Sequence, residues 1–149
     1  LLVWVAKRLS SVVVKNNKRT MPLTQTTPSY NPKYFSLTEF NCQETNENNM
    51  QPEFLEKLDE LRKRCGFPFV ITSGYRSPNH TIERVKEKAG THAQGIAADI
   101  KAISGTQKHE IVKQALDLGF GGIGVARTFI HVDDRCAFDS SAQPVIWTY

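Results

Sequence analysis

Two short stretches of the sequence combine histidine and aspartate at positions that suit metal binding. GTHAQGIAADI, residues 90–100, carries His92 and Asp99, and FIHVD, residues 129–133, carries His131. Two imidazoles and one carboxylate are a recurring ligand set for catalytic zinc, and they leave one coordination position for water. Zn²⁺ lowers the pKa of its bound water from about 16 toward about 7, which supports hydrolysis at neutral pH. The three residues together predict a hydrolytic zinc site.

The side chains between the ligands favour this interpretation. In a strand over GIAADI the isoleucines would face the core, so Asp99 would share the opposite face with Gly95 and Ala97. That face would leave space for an ion and a substrate, and the loop before the strand would bring its histidine over the same space. His131 and Asp133 would likewise share one face of a second strand. The alternative for each residue taken alone is that Asp99 caps the end of a strand and that the histidines are ordinary polar residues. That alternative does not account for the small residues around them.

Hydrophobic periodicity predicts the elements that must position these residues. Pro52, the apolar residues at helical spacing after it and Gly66 predict a helix over roughly residues 52–65. A second helix is predicted over TQKHEIVKQALDLG, residues 106–119. GGIGVARTFIHVDDR predicts one or two strands, FPFVITS and GIAADIKAI predict one each, and PVIWTY predicts a last strand or a docked segment. Two helices and four or five short strands indicate an α+β domain.

The charge of +4 is unevenly distributed along the 149 residues. Residues 1–20 carry five basic residues and no acid, which leaves 14 basic and 15 acidic side chains in the remainder. The body of the protein is therefore close to neutral, and no nucleic-acid partner is predicted. The apolar runs of residues 1–20 are shorter than the roughly 20 residues that span a bilayer, so no stable membrane span is predicted.

Three segments are predicted along the chain. We interpret residues 1–20 as a non-native or disordered extension before Met21, with a degenerate membrane anchor as the alternative. Residues 21–48 are rich in polar residues and predict an extended arm, in which YFSLTEF docks its aromatic side chains on the body. Residues 49–149 are then the catalytic domain.

Two further patterns exclude other kinds of site. The three cysteines, Cys42, Cys65 and Cys136, form no CxxC pair and are interpreted as small buried hydrophobic residues, with one disulfide as the alternative. GFGGIG matches a dinucleotide-binding fingerprint, but it follows a predicted helix and precedes a predicted strand, which is the reverse of what that fingerprint requires. Zinc is therefore the cofactor that the sequence predicts.

SGYRS at 73–77, THAQGIAAD at 91–99 and FIHVD at 129–133 resemble the M15 group of zinc D-Ala-D-Ala peptidases, in its small phage-type branch. The resemblance extends over residues 34–135. It implies the Hedgehog/DD-peptidase fold, a small antiparallel sheet flanked by helices. It also implies a monomer that hydrolyses the peptide stems of peptidoglycan in the cell wall, as a D-Ala-D-Ala carboxypeptidase or an endolysin-type endopeptidase.

The resemblance assigns roles residue by residue. Arg76, in the GYR turn, becomes the cation that holds a substrate carbonyl or carboxylate and stabilises the developing oxyanion. The sequence departs from the family pattern at Gly90, where the motif has serine and where Thr91 offers a neighbouring hydroxyl. The zinc ligands implied by the resemblance are His92, Asp99 and His131.

The general base is the least determined role. Many relatives place an acid three residues before the last histidine, where this chain has Thr128. Asp133 is the predicted base because it shares a face with His131, whereas Asp134 would point away. Glu83 and Glu87 are the next alternatives. Loss of a usable base would leave a non-catalytic, zinc-containing cell-wall-binding module of the same fold, which is the alternative function.

Overall fold

The computed structural model describes residues 30–149. Residues 1–20, for which two interpretations were given, lie outside the described residues, and so does the first part of the predicted arm. The helices are a 3-10 turn, η1 (Leu37–Phe40), and the α-helices α1 (Pro52–Cys65), α2 (Gly105–Asp117) and α3 (Arg135–Phe138). The strands are β1 (Ile71–Ser73), β2 (Ala97–Lys101), β3 (Gly122–Val125), β4 (Phe129–Asp133) and β5 (Val145–Thr148).

The two long helices, α1 and α2, begin and end close to the predicted residues, whereas α3 was not predicted. In α1, Pro52 stands at the start, Glu53 lies in the first turn and three basic residues lie in the last turn, an order that complements the helix dipole. Gly66 ends the helix in the left-handed conformation, with φ of 72°. α2 begins one residue before the predicted range because the side chain of Ser104 caps it, accepting a hydrogen bond from the Gln107 backbone amide.

The five strands form one sheet in the order β1-β2-β4-β3-β5. The first four strands pair antiparallel, as expected, but β5 pairs parallel with β3. The expectation of a purely antiparallel sheet is therefore corrected to a mixed sheet within an α+β domain. The reason lies in the connection through α3, which carries the chain from the end of β4 across β3 to its far side. β5 begins at the edge where β4 ends and runs back in the direction opposite to β4. Because β3 also runs opposite to β4, β3 and β5 are parallel.

The hydrophobic core lies between one face of the sheet and the helices. Phe54, Leu58 and Leu61 of α1 belong to the same buried cluster as Ile100 of β2 and Ile130 of β4, and all five are fully buried. About 2 kcal/mol per buried side chain of this size makes this packing the main stabilising contribution.

The described part of the predicted arm packs on the same core. Phe35 and Phe40 are buried with their ring centroids 5.4 Å apart, as expected for YFSLTEF. The Phe40 carbonyl accepts a hydrogen bond from the Tyr75 amide at 2.8 Å, and a Cβ on Gly74 would meet the Phe40 backbone. The residues before α1 therefore support the turn that follows β1. The boundary predicted at residue 49 stays a prediction.

The three cysteines are free, and Cys42 and Cys65 are buried. Over residues 30–149, no helix has both the length and the apolar character that crossing a membrane requires.

Candidate active site

The candidate site lies on the sheet face opposite the core, along one row of cross-strand neighbours. Strand pairing aligns Ser73 of β1 with Asp99, Asp99 with His131, His131 with Gly124, and Gly124 with Trp147. Cross-strand neighbours point to the same face of a sheet, so this row places polar and aromatic side chains side by side. The strand alternation predicted for Asp99 and His131 is present.

The three predicted ligands meet at the centre of this row. His131 Nδ1 lies 2.9 Å from Asp99 Oδ1, and His92 Nε2 lies 3.2 Å from His131 Nδ1 and 3.3 Å from Asp99 Oδ1. All three residues are buried. Ligand atoms bonded to one tetrahedral zinc at about 2.0–2.1 Å lie roughly 3.3 Å apart, so the observed separations fit a single small cation.

Each histidine is oriented by the nitrogen that faces away from the centre. His92 donates from Nδ1 to the Gly74 carbonyl oxygen at 2.6 Å, and His131 donates from Nε2 to Asp133 Oδ2 at 3.0 Å. These two hydrogen bonds orient the rings, so that the other nitrogen of each histidine is aimed at Asp99. This is the arrangement that metal-binding histidines require.

The loop before β2 holds His92 over the sheet. The His92 carbonyl accepts hydrogen bonds from the amides of Arg76 and Gly95, at 3.3 and 3.2 Å. Gly95 has φ of 75°, and a Cβ at this position would collide with the Asn49 carbonyl. The glycine of the motif is therefore required by the close approach of the loop to the residues before α1.

Burial and hydrogen bonds act against each other on the pKa values of the three groups. Burial would raise the pKa of Asp99, but hydrogen bonds from His131 and His92 hold that pKa well below its usual range. Burial lowers the pKa of His92, against the opposing effect of Asp99. Burial would also lower the pKa of His131, but its bonds to Asp133 and Asp99 raise it. An ionised Asp99 and a neutral His92 suit cation binding, and a cation would displace the proton that His131 shares with Asp99.

Arg76 lies directly beside the three predicted ligands. Its Nη2 is 3.3 Å from Asp99 Oδ2, and its Nε donates to Ser73 Oγ at 3.2 Å. The guanidinium thus pairs with Oδ2 of Asp99, while Oδ1 is directed at the two histidines. The guanidinium keeps further N–H groups for another acceptor.

Asp133 lies behind His131, on the side away from Asp99. The carboxylate is fully buried, and besides His131 it accepts hydrogen bonds from Arg135 Nε at 2.9 Å and Arg135 Nη2 at 2.6 Å. Burial opposes ionisation, but the bonds from Arg135 and His131 hold the pKa of Asp133 well below its usual range. A side chain at Gly122 would collide with this carboxylate, so β3 leaves the space that Asp133 fills.

The other acids considered as bases lie elsewhere. Asp134 faces away from the site and pairs with Lys57 of α1 at 2.6 Å, as the strand alternation predicts. Glu83 is buried and accepts hydrogen bonds from Lys86 Nζ at 2.7 Å and from the Gly90 amide at 3.2 Å, so it secures the loop that leads to His92. Glu87 is exposed on that loop.

The two positions that depart from the family pattern differ in their surroundings. Thr128 is exposed in the turn between β3 and β4. A Cβ at Gly90 would lie 3.0 Å from Lys86 Nζ and 3.4 Å from the Glu83 carboxylate. The hydrogen bond from its amide to Glu83 thus fixes the position of Gly90, the residue that replaces the serine of the family motif.

A cleft of about 440 Å³ opens over His92 and His131. Its walls include three residues that sequence reasoning missed: Arg135, Trp147 and Tyr149. PVIWTY was predicted as a strand or docked segment, and strand alternation alone would place both aromatic residues on one face. No signal in the sequence indicated that this face adjoins the two histidines.

Comparison with known proteins gives one result for the family. A search of curated proteins finds no match. The family model described as Peptidase M15 matches residues 33–133, which include all three predicted metal ligands and exclude β5. This match covers more than half of the chain. With its fold and its cluster of two histidines and an aspartate, the chain belongs to the Peptidase M15 family.

Proposed function

We propose that this peptidase holds one zinc ion between His92 Nε2, Asp99 Oδ1 and His131 Nδ1. The observation that carries the proposal is that these atoms lie within 4.8 Å of one another while the second nitrogen of each histidine is already hydrogen-bonded. Bound zinc would supply Lewis acidity and a water molecule of lowered pKa for hydrolysis of a peptide bond.

Arg76 is the proposed substrate-binding and oxyanion-stabilising residue. Its guanidinium is half-buried and contacts Asp99, one of the three predicted ligands. Its remaining N–H groups can donate to a carbonyl or carboxylate oxygen of a peptide that lies above the sheet. A fixed cation beside the reacting carbonyl would stabilise negative charge that develops on its oxygen.

Asp133 is proposed to act through His131. Of the two roles open to it, direct proton acceptance from water and orientation of His131, its contacts support the second. Both of its oxygens already accept hydrogen bonds, from His131 Nε2 and from Arg135. By keeping the Nε2 proton in place, Asp133 would hold Nδ1 unprotonated and directed at the metal. Its role as general base stays a prediction.

The proposed substrate is the peptide stem of peptidoglycan, as in the phage-type branch of the family. The support is the match of SGYRS, THAQGIAAD and FIHVD to the peptidase motifs, together with an open cleft of a size that admits a short peptide. We test this by digesting purified peptidoglycan and identifying the released muropeptides by mass spectrometry. Loss of one terminal residue would indicate a carboxypeptidase, and cleavage within or between stems would indicate an endopeptidase.

Chelation and a matched pair of variants test the metal. We expect a chelator to abolish digestion and added zinc to restore it. His92→Ala should retain its fold but lose zinc and activity, whereas His109→Ala, at an exposed position on α2, should behave as wild type. Full zinc occupancy in a protein lacking all three predicted ligands would contradict the proposal.

The second candidate function is a zinc-containing cell-wall-binding module without catalysis. The observation that favours it is Thr128, exposed in a turn where many relatives have an acid. Stoichiometric zinc and peptidoglycan binding without any released muropeptide would establish the module and exclude the enzyme.

A further inference from the structure

The last strand brings aromatic side chains to the candidate site from outside the family match. β5 follows residue 133, where the match ends, and it pairs with β3 so that Trp147 stands opposite Gly124. Gly124 in turn stands opposite His131. One residue without a side chain therefore separates the indole from a predicted metal ligand.

Gly124 is required for this arrangement. A Cβ there would lie 2.8 Å from Cε2 and Cζ2 of Trp147 and 2.9 Å from a ring carbon of Tyr149. Without that Cβ, the indole extends across β3 until its centroid is 5.2 Å from the His131 ring. The indole also lies 5.2 Å from the guanidinium carbon of Arg135, the residue that binds Asp133.

Tyr149 extends this aromatic surface toward solvent. Its ring centroid is 6.1 Å from Trp147 and 5.3 Å from Phe129, and both Trp147 and Tyr149 line the cleft over His92 and His131. Tyr149 is 71% exposed, although it is a large aromatic residue held against two other rings. The aromatic wall, which we define as Trp147 and Tyr149, thus offers ring surface beside the metal ligands.

The wall lies on the opposite side of the metal centre from Arg76. In the cross-strand row, Arg76 contacts Asp99 and Ser73, while Trp147 contacts His131. A second depression of about 270 Å³ borders Arg76, so space is available on both sides of the centre. A peptide whose scissile bond lies over the centre would place one neighbouring residue near Arg76 and the other against the wall.

We propose that the aromatic wall is a specificity subsite. It takes the apolar side chain of the substrate residue next to the scissile bond, on the side away from Arg76. This inference rests on the peptidase function proposed above and adds to it a substrate-contacting segment beyond the matched family region. Contact between an aromatic surface and an apolar group contributes favourable binding free energy, because both surfaces are removed from water.

The first experiment measures kinetics on synthetic stem pentapeptides ending in D-Ala-D-Ala. Tyr149→Ala should raise KM at least fivefold with kcat within twofold and with unchanged zinc content. Ile146→Ala is the matched control, because Ile146 lies on the other face of β5 and is 53% exposed. It should leave both constants within twofold of wild type.

Substrate variants then identify the contact. Replacing either alanine that flanks the scissile bond by glycine removes one methyl group at a time. In the wild type, only one of these replacements should raise KM strongly, and in Tyr149→Ala that penalty should shrink at least threefold, as coupled contacts require. Equal penalties in both proteins, or identical behaviour of Tyr149→Ala and Ile146→Ala, would overturn the subsite.

A binding measurement separates this proposal from the peptidase function. Trp4→Phe leaves Trp147 as the single tryptophan, and the pentapeptide should change its emission in the zinc-loaded protein. If no hydrolysis occurs but the emission responds and Tyr149→Ala weakens that response, the catalytic proposal fails and the subsite stands. Hydrolysis without any change in Trp147 emission would overturn the subsite alone, and absence of both would overturn the two proposals.

Discussion

Asp133→Asn tests how the buried network behind His131 supports the site. In the native protein both carboxylate oxygens accept hydrogen bonds: Oδ2 from His131 Nε2 and Arg135 Nη2, and Oδ1 from Arg135 Nε and the Arg135 backbone amide. An asparagine side chain offers one acceptor oxygen and one NH₂ group. Whichever way the amide lies, its NH₂ group faces a donor, so bonds are lost on one side and the Arg135 charge loses its partner.

The magnitude follows from these contacts. Removing one partner of a buried ion pair costs about 3–5 kcal/mol. Arg135 is 30% exposed, so water can solvate part of the released guanidinium, and we expect a loss of about 2–4 kcal/mol in the free energy of unfolding. At about 3 °C per kcal/mol for a chain of this size, the melting temperature should fall by roughly 6–12 °C. The variant should therefore remain folded at 25 °C.

The functional effect should exceed the stability effect. Loss of the group that orients a metal-bound histidine typically lowers metal affinity about 10–100-fold. We expect a loss in that range from competition with a chromophoric chelator. At saturating zinc, we expect turnover to fall about 10–100-fold if Asp133 only orients His131, and by at least about a hundredfold if it also accepts a proton.

Asp134→Asn is the matched control, because it replaces the adjacent buried carboxylate by the same amide. It breaks the 2.6 Å ion pair with Lys57 and should cost a similar free energy of unfolding. Because that pair faces α1 rather than His131, zinc affinity and turnover should stay within about threefold of wild type. The reasoning would be refuted if Asp134→Asn were the inactive variant or if Asp133→Asn kept wild-type zinc affinity.

Three further predictions use other contacts. Arg76→Lys keeps the charge but loses the planar fork, so turnover should fall at least about tenfold with zinc retained, and a change within twofold would remove Arg76 from the site. Gly95→Ala should lower the free energy of unfolding by about 3 kcal/mol in urea, since it combines φ of 75° with a collision at a backbone carbonyl, and a loss below about 1 kcal/mol would contradict this. Burial and the 2.6 Å hydrogen bond to Asp59 raise the pKa of Tyr30 to about 12. Because the folded-state pKa is raised, this contribution is complete below the unfolded-state value of about 10 and is lost as the pH rises toward 12. Tyr30→Phe should therefore be less stable than wild type by about 1 kcal/mol at pH 8, with a difference that narrows above pH 10, and a gap that widens there would exclude this origin.

Local sequence patterns determined the two long helices and the three predicted metal ligands, which meet on one face of the sheet. Pro52 and Gly66 mark the ends of α1 through the backbone conformations they allow, and such preferences do not depend on distant residues. The alternation around Asp99 and His131 predicted the face that each side chain occupies, because period-two geometry is a property of any strand. The same alternation separated Asp133 from Asp134 before any packing was known.

Tertiary structure alone decided what surrounds those residues. The parallel pairing of β5 with β3 depends on the path of the chain through α3, which no local pattern encodes. The contact of Trp147 with His131 depends on Gly124 in a third strand, and the burial of Asp133 depends on Gly122 beside it and on Arg135 beyond it. A side chain's direction follows from its own strand, but its neighbours follow from which strands pair and in what register, and pairing is settled by burial across the whole sheet.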